Sequence, residues 1–205
     1  MLTDELLATA ARELAQRDPH LAAVFERLGP PPLWARPPGF ATLVFIILEQ
    51  QVSLASARAA YARLEAALAP AITPVGFLAL SDDVLRAVGF SRQKMLYARG
   101  LAQAVLAGEL DLGDLHRLDE PGVRAALTRL KGIGPWTADI YLMEALLHPD
   151  IWPIGDLALR AAVRVVKGLP AHPSGEELAQ IGELYRPWRS VAARMFWQHY
   201  LFGGL

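Results

Sequence analysis

The sequence contains no cysteine among its 205 residues. This absence excludes disulfide bonds, a thiol nucleophile, thiolate zinc sites and cysteine-bound iron–sulfur clusters. Lysine is also scarce, since the 20 basic residues include only Lys94, Lys131 and Lys167. A mechanism that needs a lysine amine therefore has few candidates. The formal net charge of −1, taken alone, argues weakly against a nucleic-acid partner.

Long apolar runs are missing as well. Hydrophobic residues make up 53% of the chain, but no run approaches the roughly 20 residues that a membrane span needs. The run "TLVFIIL" (42–48) is short and predicts a buried helix core. The N-terminal stretch "MLTDELLATAARELAQRD" is amphipathic and acidic, without the features of a signal or transit peptide. We therefore expect a soluble, cytoplasmic protein with no membrane partner.

Apolar residues recur at three-to-four spacing along nearly the whole chain, which predicts helices. Separators are short and rich in proline and glycine, and no segment shows strand alternation of useful length. The expected fold class is all-α. The helices are predicted at Leu2–Arg17, Leu21–Leu28, Phe40–Glu49, Ser53–Ala69, Ser81–Val88, Arg92–Ala107, Gly122–Leu130, Thr137–Leu147, Asp156–Lys167, Ser174–Leu184 and Trp188–Tyr200.

Two longer breaks divide the helical pattern, "GPPPLWARPPGF" (29–40) and "HPDIWPIGD" (148–156). Proline-rich stretches of this kind are typical of stiff linkers. They predict two helical lobes that flank a cleft. We expect residues 41–154 to form a central lobe, and residues 1–40 together with 155–205 to form the second.

The segment "LKGIGPWTADIYL" (130–142) interrupts two helical patterns with a very short turn. Gly132 and Gly134 allow positive φ and leave backbone N–H groups uncovered, and Pro135 suits the first position of a helix. Bare amides at a helix N-terminus form a donor site suited to one phosphate. From these residues alone, a plain helix–turn–helix corner is the favoured interpretation.

The wider pattern Leu-x-Gly-Ile-Gly-x-x-Thr-Ala resembles the helix–hairpin–helix motif of DNA-binding proteins, here at 122–147. Five segments in order are similar to those of 3-methyladenine DNA glycosylase II (AlkA type), in the helix–hairpin–helix DNA glycosylase superfamily. They cover residues 37 to 200 and read "PPGFATLVFIILEQQVSLASA", "VGFSRQKMLYARGLA", "LKGIGPWTADIYL", "WPIGDLALRAAV" and "YRPWRSVAARMFW".

This resemblance implies a function in base excision repair. The chain would be a monofunctional DNA glycosylase that flips an alkylated base, such as 3-methyladenine or 7-methylguanine, out of double-stranded DNA. It would then hydrolyse the N-glycosidic bond without a cofactor. We expect a monomer that associates with the nucleoid in the cytoplasm.

Asp156 is the predicted catalytic residue. Its place after Gly155 and before "LALRAAV" favours a helix N-cap when the local sequence is considered alone. The resemblance instead implies the catalytic carboxylate at this position, and the two roles are compatible. An anion beside the sugar stabilises the oxocarbenium-like charge that develops as the base leaves.

The resemblance also implies aromatic walls for the flipped base. Trp136 and Trp197 match the pocket aromatics of the family, and Tyr141 and Trp34 are further candidates. For either matching tryptophan, core packing is the alternative. The family's pocket aromatic just after the hairpin falls on Ile140 here, so the substrate range need not be that of the enterobacterial form.

The remaining candidates concern DNA contact. Gln51 falls where the family presents the side chain that fills the hole left by the flipped base, although a solvated turn residue is the alternative. The hairpin contributes Lys131, Gly132, Ile133 and Gly134, and Arg92 and Lys94 either contact phosphates or form a solvated helix start. The resemblance further implies a structural cation held by the backbone carbonyls of Leu130, Gly132 and Ile133. We expect no catalytic metal, because the histidines lack ligand spacing.

Other functions compete with this one. A bifunctional glycosylase/AP lyase needs a hairpin lysine, and Trp136 occupies the place where that lysine stands. A non-enzymatic helix–hairpin–helix DNA-binding module would not need Asp156 or the paired tryptophans. A helical interaction protein without DNA binding is the remaining alternative.

Overall fold

The computed structural model describes residues 1–203, which form twelve α-helices and no β-strand. The predicted all-α fold class is confirmed. In chain order the helices are α1 Asp4–Arg17, α2 Pro19–Leu28, α3 Phe40–Glu49, α4 Leu54–Ala67, α5 Pro74–Ala79, α6 Asp82–Val88, α7 Arg92–Leu106, α8 Glu120–Thr128, α9 Pro135–Glu144, α10 Leu157–Val166, α11 Gly175–Glu183 and α12 Arg189–Phe202. A 3₁₀ turn lies at Leu115–Arg117.

Short polar side chains begin most of these helices, because they accept a hydrogen bond from an otherwise unpaired N–H group of the first turn. These N-caps include Thr3, Ser53, Ser81, Ser91, Asp119 and Ser174. The sequence pattern missed α5, which has six residues and is too short for a helical period to show. Its signal was local, since Thr73 caps the helix and Pro74 occupies its first position.

The chain divides into two compact units. The central unit comprises residues 36–141, and the terminal unit comprises residues 1–35 together with the chain from Leu142 onward. Residues 142–154, which the sequence analysis placed in the central lobe, thus group with the chain termini instead. The reason is their hydrogen bonding, since the N–H of Leu2 donates to Leu147 O (2.7 Å) and Trp152 Nε1 donates to Leu178 O (2.8 Å).

Residues 36–40 also differ from expectation, because they belong to the central unit. Arg36 forms a two-pronged ion pair with Glu49 at the end of α3, with N–O distances of 2.7 and 2.9 Å. The N–H of Gly39 donates to the Tyr141 hydroxyl (2.9 Å). These contacts fix the entry to α3 within its own unit.

Helix α3 supplies the core of the central unit. Most of its residues are buried, namely Phe40, Thr42, Leu43, Val44, Ile46, Ile47 and Leu48. It packs against α4 and α7, and α5 packs against α7. A helix that is apolar on nearly all sides can be stable only inside such a bundle. The turn that follows α3, at Gln50 and Gln51, thereby starts from a buried helix.

Helix α12 has the same role in the terminal unit, where it packs against α1, α2 and α10. Every residue from Ser190 to Gln198 is buried. Arg194 is fully buried among them, and its guanidinium donates to the carbonyls of Leu33, Ser190 and Met143. Burial lowers the pKa of Arg194 to about 10, opposed by the charge of Glu144.

Among the described residues, no helix is long and apolar enough to cross a membrane.

Candidate functional site

Asp156 lies at the start of α10 and caps it. Its Oδ1 accepts the N–H of Leu159 at 2.6 Å, and the residue is only 9% exposed. The N-cap geometry predicted from the sequence is confirmed. The helix N-terminus interacts favourably with the negative charge of the carboxylate.

Trp197 holds the same carboxylate oxygen from α12. Its Nε1 donates to Asp156 Oδ1 at 3.0 Å, and the indole is 8% exposed. Trp34 lies beside Trp197, with ring centroids 6.4 Å apart and planes tilted by 58°. The structure therefore brings together three of the predicted site residues, one carboxylate and two indoles, within the terminal unit.

Trp34 has a positive φ of 49°, which is a genuine outlier for a bulky residue. Strain of this kind persists only where the surroundings enforce it, and it clusters at functional sites. Arg194 supplies the restraint, since its Nε donates to Leu33 O at 2.9 Å. Sequence reasoning missed Arg194. Its one signal was an arginine in the middle of the apolar helix "VAARMFW".

The hairpin between α8 and α9 is confirmed as a tight turn. The N–H of Ile133 donates to Leu130 O at 3.1 Å, and Pro135 begins α9. Gly132 has a φ of +93°, and a Cβ added there would lie 2.0 Å from Cγ of Tyr97. Glycine is therefore required at position 132 for two reasons, the positive φ and the Tyr97 ring that packs on the backbone.

Gly134 behaves differently from the sequence expectation. It does not have a positive φ, and a Cβ added there would meet nothing within 4 Å. Gly134 is exposed, and its carbonyl accepts the N–H of Ala138 in the first turn of α9 (3.1 Å). The turn itself thus needs one glycine, and the second leaves open space in front of the backbone.

The turn after α3 contacts this hairpin. Gln50 Nε2 donates to Gly132 O at 2.9 Å and to Thr137 Oγ1 at 3.0 Å. The next residue, Gln51, is exposed and has a positive φ of 57°. With Gln50 at φ −58° and ψ 122°, this is the geometry of a type II turn, whose third position favours glycine or asparagine.

Three segments of the central unit line one concave surface of about 730 Å³, a size typical of ligand sites. They are the turn after α3, the start of α7 and the hairpin. The lining includes six of the predicted DNA-contact residues, namely Gln51, Lys94, Lys131, Gly132, Ile133 and Gly134. It also includes Gln50, Gln93 and Tyr97, which sequence reasoning did not select. Arg92 is exposed in the first turn of α7 but does not line this surface.

Lys94 is not a freely solvated residue. Its Nζ donates to Leu48 O, the carbonyl of the last turn of α3, at 2.7 Å. Burial lowers the pKa of Lys94. A lysine near a helix C-terminus satisfies carbonyls that have no partner within the helix. Lys94 therefore fixes the start of α7 against the end of α3.

The remaining aromatic candidates have unequal exposure. Trp136 is half-buried at the second position of α9. Tyr141 has no exposed surface, its hydroxyl accepts the N–H of Gly39, and burial raises its pKa. Tyr141 is consequently a packing residue of the central unit. Ile140, at the place where the family has an aromatic residue, is also buried.

The carbonyls suggested for a structural cation have other partners. Leu130 O accepts the N–H of Ile133, and Gly132 O accepts Nε2 of Gln50. A carbonyl oxygen has two lone pairs, so each of these oxygens keeps a second acceptor position, and the structural cation at the hairpin stays a prediction. Among residues 1–203, no group of three histidine, aspartate or glutamate side chains could hold a metal ion.

The family model of the HhH-GPD superfamily base excision DNA repair proteins matches residues 44–187. This range includes the turn after α3, the hairpin and Asp156. The chain belongs to the HhH-GPD superfamily.

Individual relatives agree with this membership. The chain is 25% identical over 197 residues to the DNA-3-methyladenine glycosylase of Bacillus subtilis, covering 91% of this chain and 65% of the relative. The solved 3-methyladenine DNA glycosylase of Schizosaccharomyces pombe, in complex with abasic DNA, superposes with a TM-score of 0.83 at 25% identity. That match covers 92% of this chain and 95% of the other.

A DNA-3-methyladenine glycosidase structure from Bacillus halodurans gives a TM-score of 0.77 at 30% identity, with 95% and 90% of the two chains covered. The chain spans between 40% and 65% of the length of the curated relatives that it matches.

Proposed function

We propose that this protein is a monofunctional DNA glycosylase that excises alkylated bases of the 3-methyladenine and 7-methylguanine type. Its partner is double-stranded DNA, on which it acts as a cytoplasmic monomer. The observation that carries the proposal is the Asp156 carboxylate, which caps α10 and is held by the Trp197 indole (3.0 Å). The relatives named above are 3-methyladenine glycosylases or glycosidases.

Asp156 acts on the sugar. When the bond between C1′ and the purine nitrogen breaks, the electron pair leaves with the base and positive charge develops on the deoxyribose. A fixed carboxylate stabilises that charge more than it stabilises the ground state. Water then adds to C1′ and loses a proton. An alkylated purine is already cationic, so it leaves as a neutral base and needs little acid catalysis.

The aromatic residues receive the base after it leaves the stack, a step that costs a few kcal/mol. Indole rings attract cations through their π faces, which favours an alkylated ring over a neutral one. Trp197, which is bonded to Asp156, and its neighbour Trp34 offer two such rings. Trp136 is the third candidate. This preference for positive charge explains how normal purines would be discriminated against.

The concave surface of the central unit contacts the DNA backbone. The exposed amide of Gly134 and the Lys131 side chain suit a phosphate. Gln51 enters the duplex and occupies the space of the flipped base. Its strained φ of 57° supports this role, because a turn without a function for the side chain would favour glycine there.

A lyase reaction would require an amine that attacks C1′. Lys167 lies eleven residues after Asp156, about 16 Å along α10, and its Nζ is paired with Asp18 Oδ2 at 2.5 Å. Lys94 is bound to Leu48 O, and Lys131 lies where the phosphate is expected. Water is therefore the proposed nucleophile.

Duplexes that carry a single lesion test the proposal. We expect release of 3-methyladenine and 7-methylguanine, with strand cleavage appearing only after alkali converts the abasic site. A duplex containing 8-oxoguanine, whose base is neutral, serves as the matched control and should remain intact. Absence of base release from every alkylated duplex would refute the glycosylase assignment.

Borohydride separates the two types of glycosylase. A lyase forms an imine between its amine and C1′, which borohydride reduces to a stable adduct. We expect no protein–DNA adduct with borohydride present during turnover. An adduct that disappears in a Lys131→Ala variant would favour the bifunctional alternative.

Trp197 allows a second prediction, because its ring and its N–H have separate roles. Trp197→Phe keeps an aromatic face but removes the donor to Asp156. We expect Trp197→Phe to lower the excision rate by about 10-fold, as a hydrogen bond to a charged group contributes roughly 1.5–3 kcal/mol. Trp197→Ala should additionally weaken binding of lesion DNA, by roughly 1–3 kcal/mol of lost stacking.

Single-turnover kinetics and fluorescence anisotropy measure the two effects of substitution at Trp197. Binding of undamaged duplex is the control and should stay unchanged in both variants. Equal losses of affinity for damaged and undamaged DNA would mean that Trp197 is only a core residue.

A further inference from the structure

The end of α3 and the hairpin are joined by one side chain. Gln50 uses its amide group to donate to Gly132 O (2.9 Å) and to Thr137 Oγ1 (3.0 Å), residues more than 80 positions later in the chain. One acceptor belongs to the hairpin turn and the other to the first turn of α9. Gln50 is therefore bound on both sides of Gly134, the exposed glycine of the hairpin.

Gly132 is fixed from a second direction as well. The Tyr97 ring packs against its α-carbon, so closely that an added Cβ would overlap the ring. Tyr97 belongs to α7, whose start also lines the concave surface. The hairpin glycine is thus held between a side chain from the end of α3 and one from α7.

Gln51, the residue after Gln50, has an unusual backbone conformation. A non-glycine residue at φ 57° is disfavoured unless its surroundings impose that geometry. Gln51 itself is exposed. Its neighbour Gln50 is the residue of this turn that forms hydrogen bonds to the hairpin and to α9.

We propose that Gln50 is a positioning residue that couples phosphate binding at the hairpin to insertion of Gln51 into the duplex. This inference rests on the proposed function and adds a residue that the sequence did not indicate. A phosphate bound at the hairpin fixes the DNA backbone relative to Gly132 and Gly134. Gln50 transmits that position to the turn, so that Gln51 meets the base stack at one defined register.

The test uses Gln50→Met, which keeps the length of the side chain, adds no charge and removes both donated hydrogen bonds. A 2-aminopurine next to the lesion reports base extrusion by its fluorescence. We expect the extrusion rate and the single-turnover excision rate to fall by about 10-fold, as two neutral hydrogen bonds are lost. Binding of undamaged duplex should change by less than about twofold, with the same dependence on salt, because no phosphate contact is removed.

A double-mutant cycle distinguishes positioning from support of the fold. If Gln50 acts through Gln51, then Gln50→Met should have no further effect on extrusion in a Gln51→Ala background. Gln103→Met, an exposed residue on α7, is the matched control and should behave like the wild type. Thr137→Val, which removes only one of the two acceptors, should give a smaller defect of the same kind.

Three outcomes would overturn the inference. The first is additive effects of the two substitutions in the cycle, and the second is a wild-type extrusion rate in Gln50→Met. The third is a loss of affinity for undamaged duplex in Gln50→Met as large as the loss of extrusion rate. Because the wild type is measured in parallel, failure of this inference is distinguishable from failure of the proposed function. If the proposed function failed, the wild type itself would neither extrude nor excise an alkylated base.

Discussion

Replacing Asp156 with asparagine is expected to lower the single-turnover rate of 3-methyladenine excision by about 100-fold or more, while lesion-DNA binding is retained. The substitution removes the negative charge and preserves the shape of the side chain. Asparagine is also a good N-cap, so the hydrogen bond from the N–H of Leu159 can persist. The loss therefore reports the charge at the sugar and not the stability of α10.

A matched control for this substitution exists in the central unit. Asp119 caps α8 by accepting the N–H of Gly122 at 2.9 Å, and it is exposed. Asp119→Asn makes the same chemical change at the same helix position, away from the proposed chemistry. We expect Asp119→Asn to excise at the wild-type rate with a melting temperature close to that of the wild type.

The outcome decides between the two roles of Asp156. Wild-type turnover in Asp156→Asn would show that this residue is only a cap. If Asp156→Asn instead lost both turnover and lesion binding, the carboxylate would contribute to recognition of the base. Stabilisation of the sugar charge would then no longer explain the loss of turnover.

Local signals in the sequence predicted the helices and the cap at Asp156 well. Helical periodicity and N-cap residues act over a few positions, so they are visible without a structure. The short helix α5 was missed because six residues cannot display a period, although Thr73 and Pro74 marked its start. The hairpin was recognised from its glycines, but only Gly132 has the positive φ that was expected of both.

Contacts between distant residues could not be predicted. Gln50 finds its acceptors more than 80 residues away, Arg194 binds Leu33 across 161 residues, and Tyr97 covers Gly132 from another helix. Nothing in the local sequence distinguishes Gln50 from its neighbour Gln51. The same limit applies to Tyr141, whose complete burial depends on the packing around α9.

The tight packing at Gly132 leads to the second large effect. Gly132→Ala is expected to destabilise the protein by roughly 2–5 kcal/mol, the sum of an unfavourable left-handed conformation and overpacking. At about 2–4 °C per kcal/mol for a chain of this size, the melting temperature should fall by about 4–20 °C. Calorimetry or thermal circular dichroism measures this shift.

DNA binding should fall together with stability in Gly132→Ala. The added methyl group would lie 2.0–2.4 Å from three atoms of the Tyr97 ring, so the hairpin must move to accommodate it. Because the hairpin is proposed to contact phosphates and not bases, we expect weaker binding of damaged and undamaged duplexes alike, by at least about 10-fold, a value near 1.4 kcal/mol. Anisotropy with both duplexes at one salt concentration provides the comparison.

Gly134→Ala is the matched control, since a Cβ at this position meets nothing within 4 Å and the φ is not positive. It should leave the melting temperature unchanged. Adding Tyr97→Ala to Gly132→Ala removes the collision but not the backbone strain, so it should restore the hairpin in part and recover some affinity for DNA. If Gly132→Ala were as stable as Gly134→Ala, Tyr97 would not pack tightly on the hairpin. Tyr97 would then not hold the turn in place.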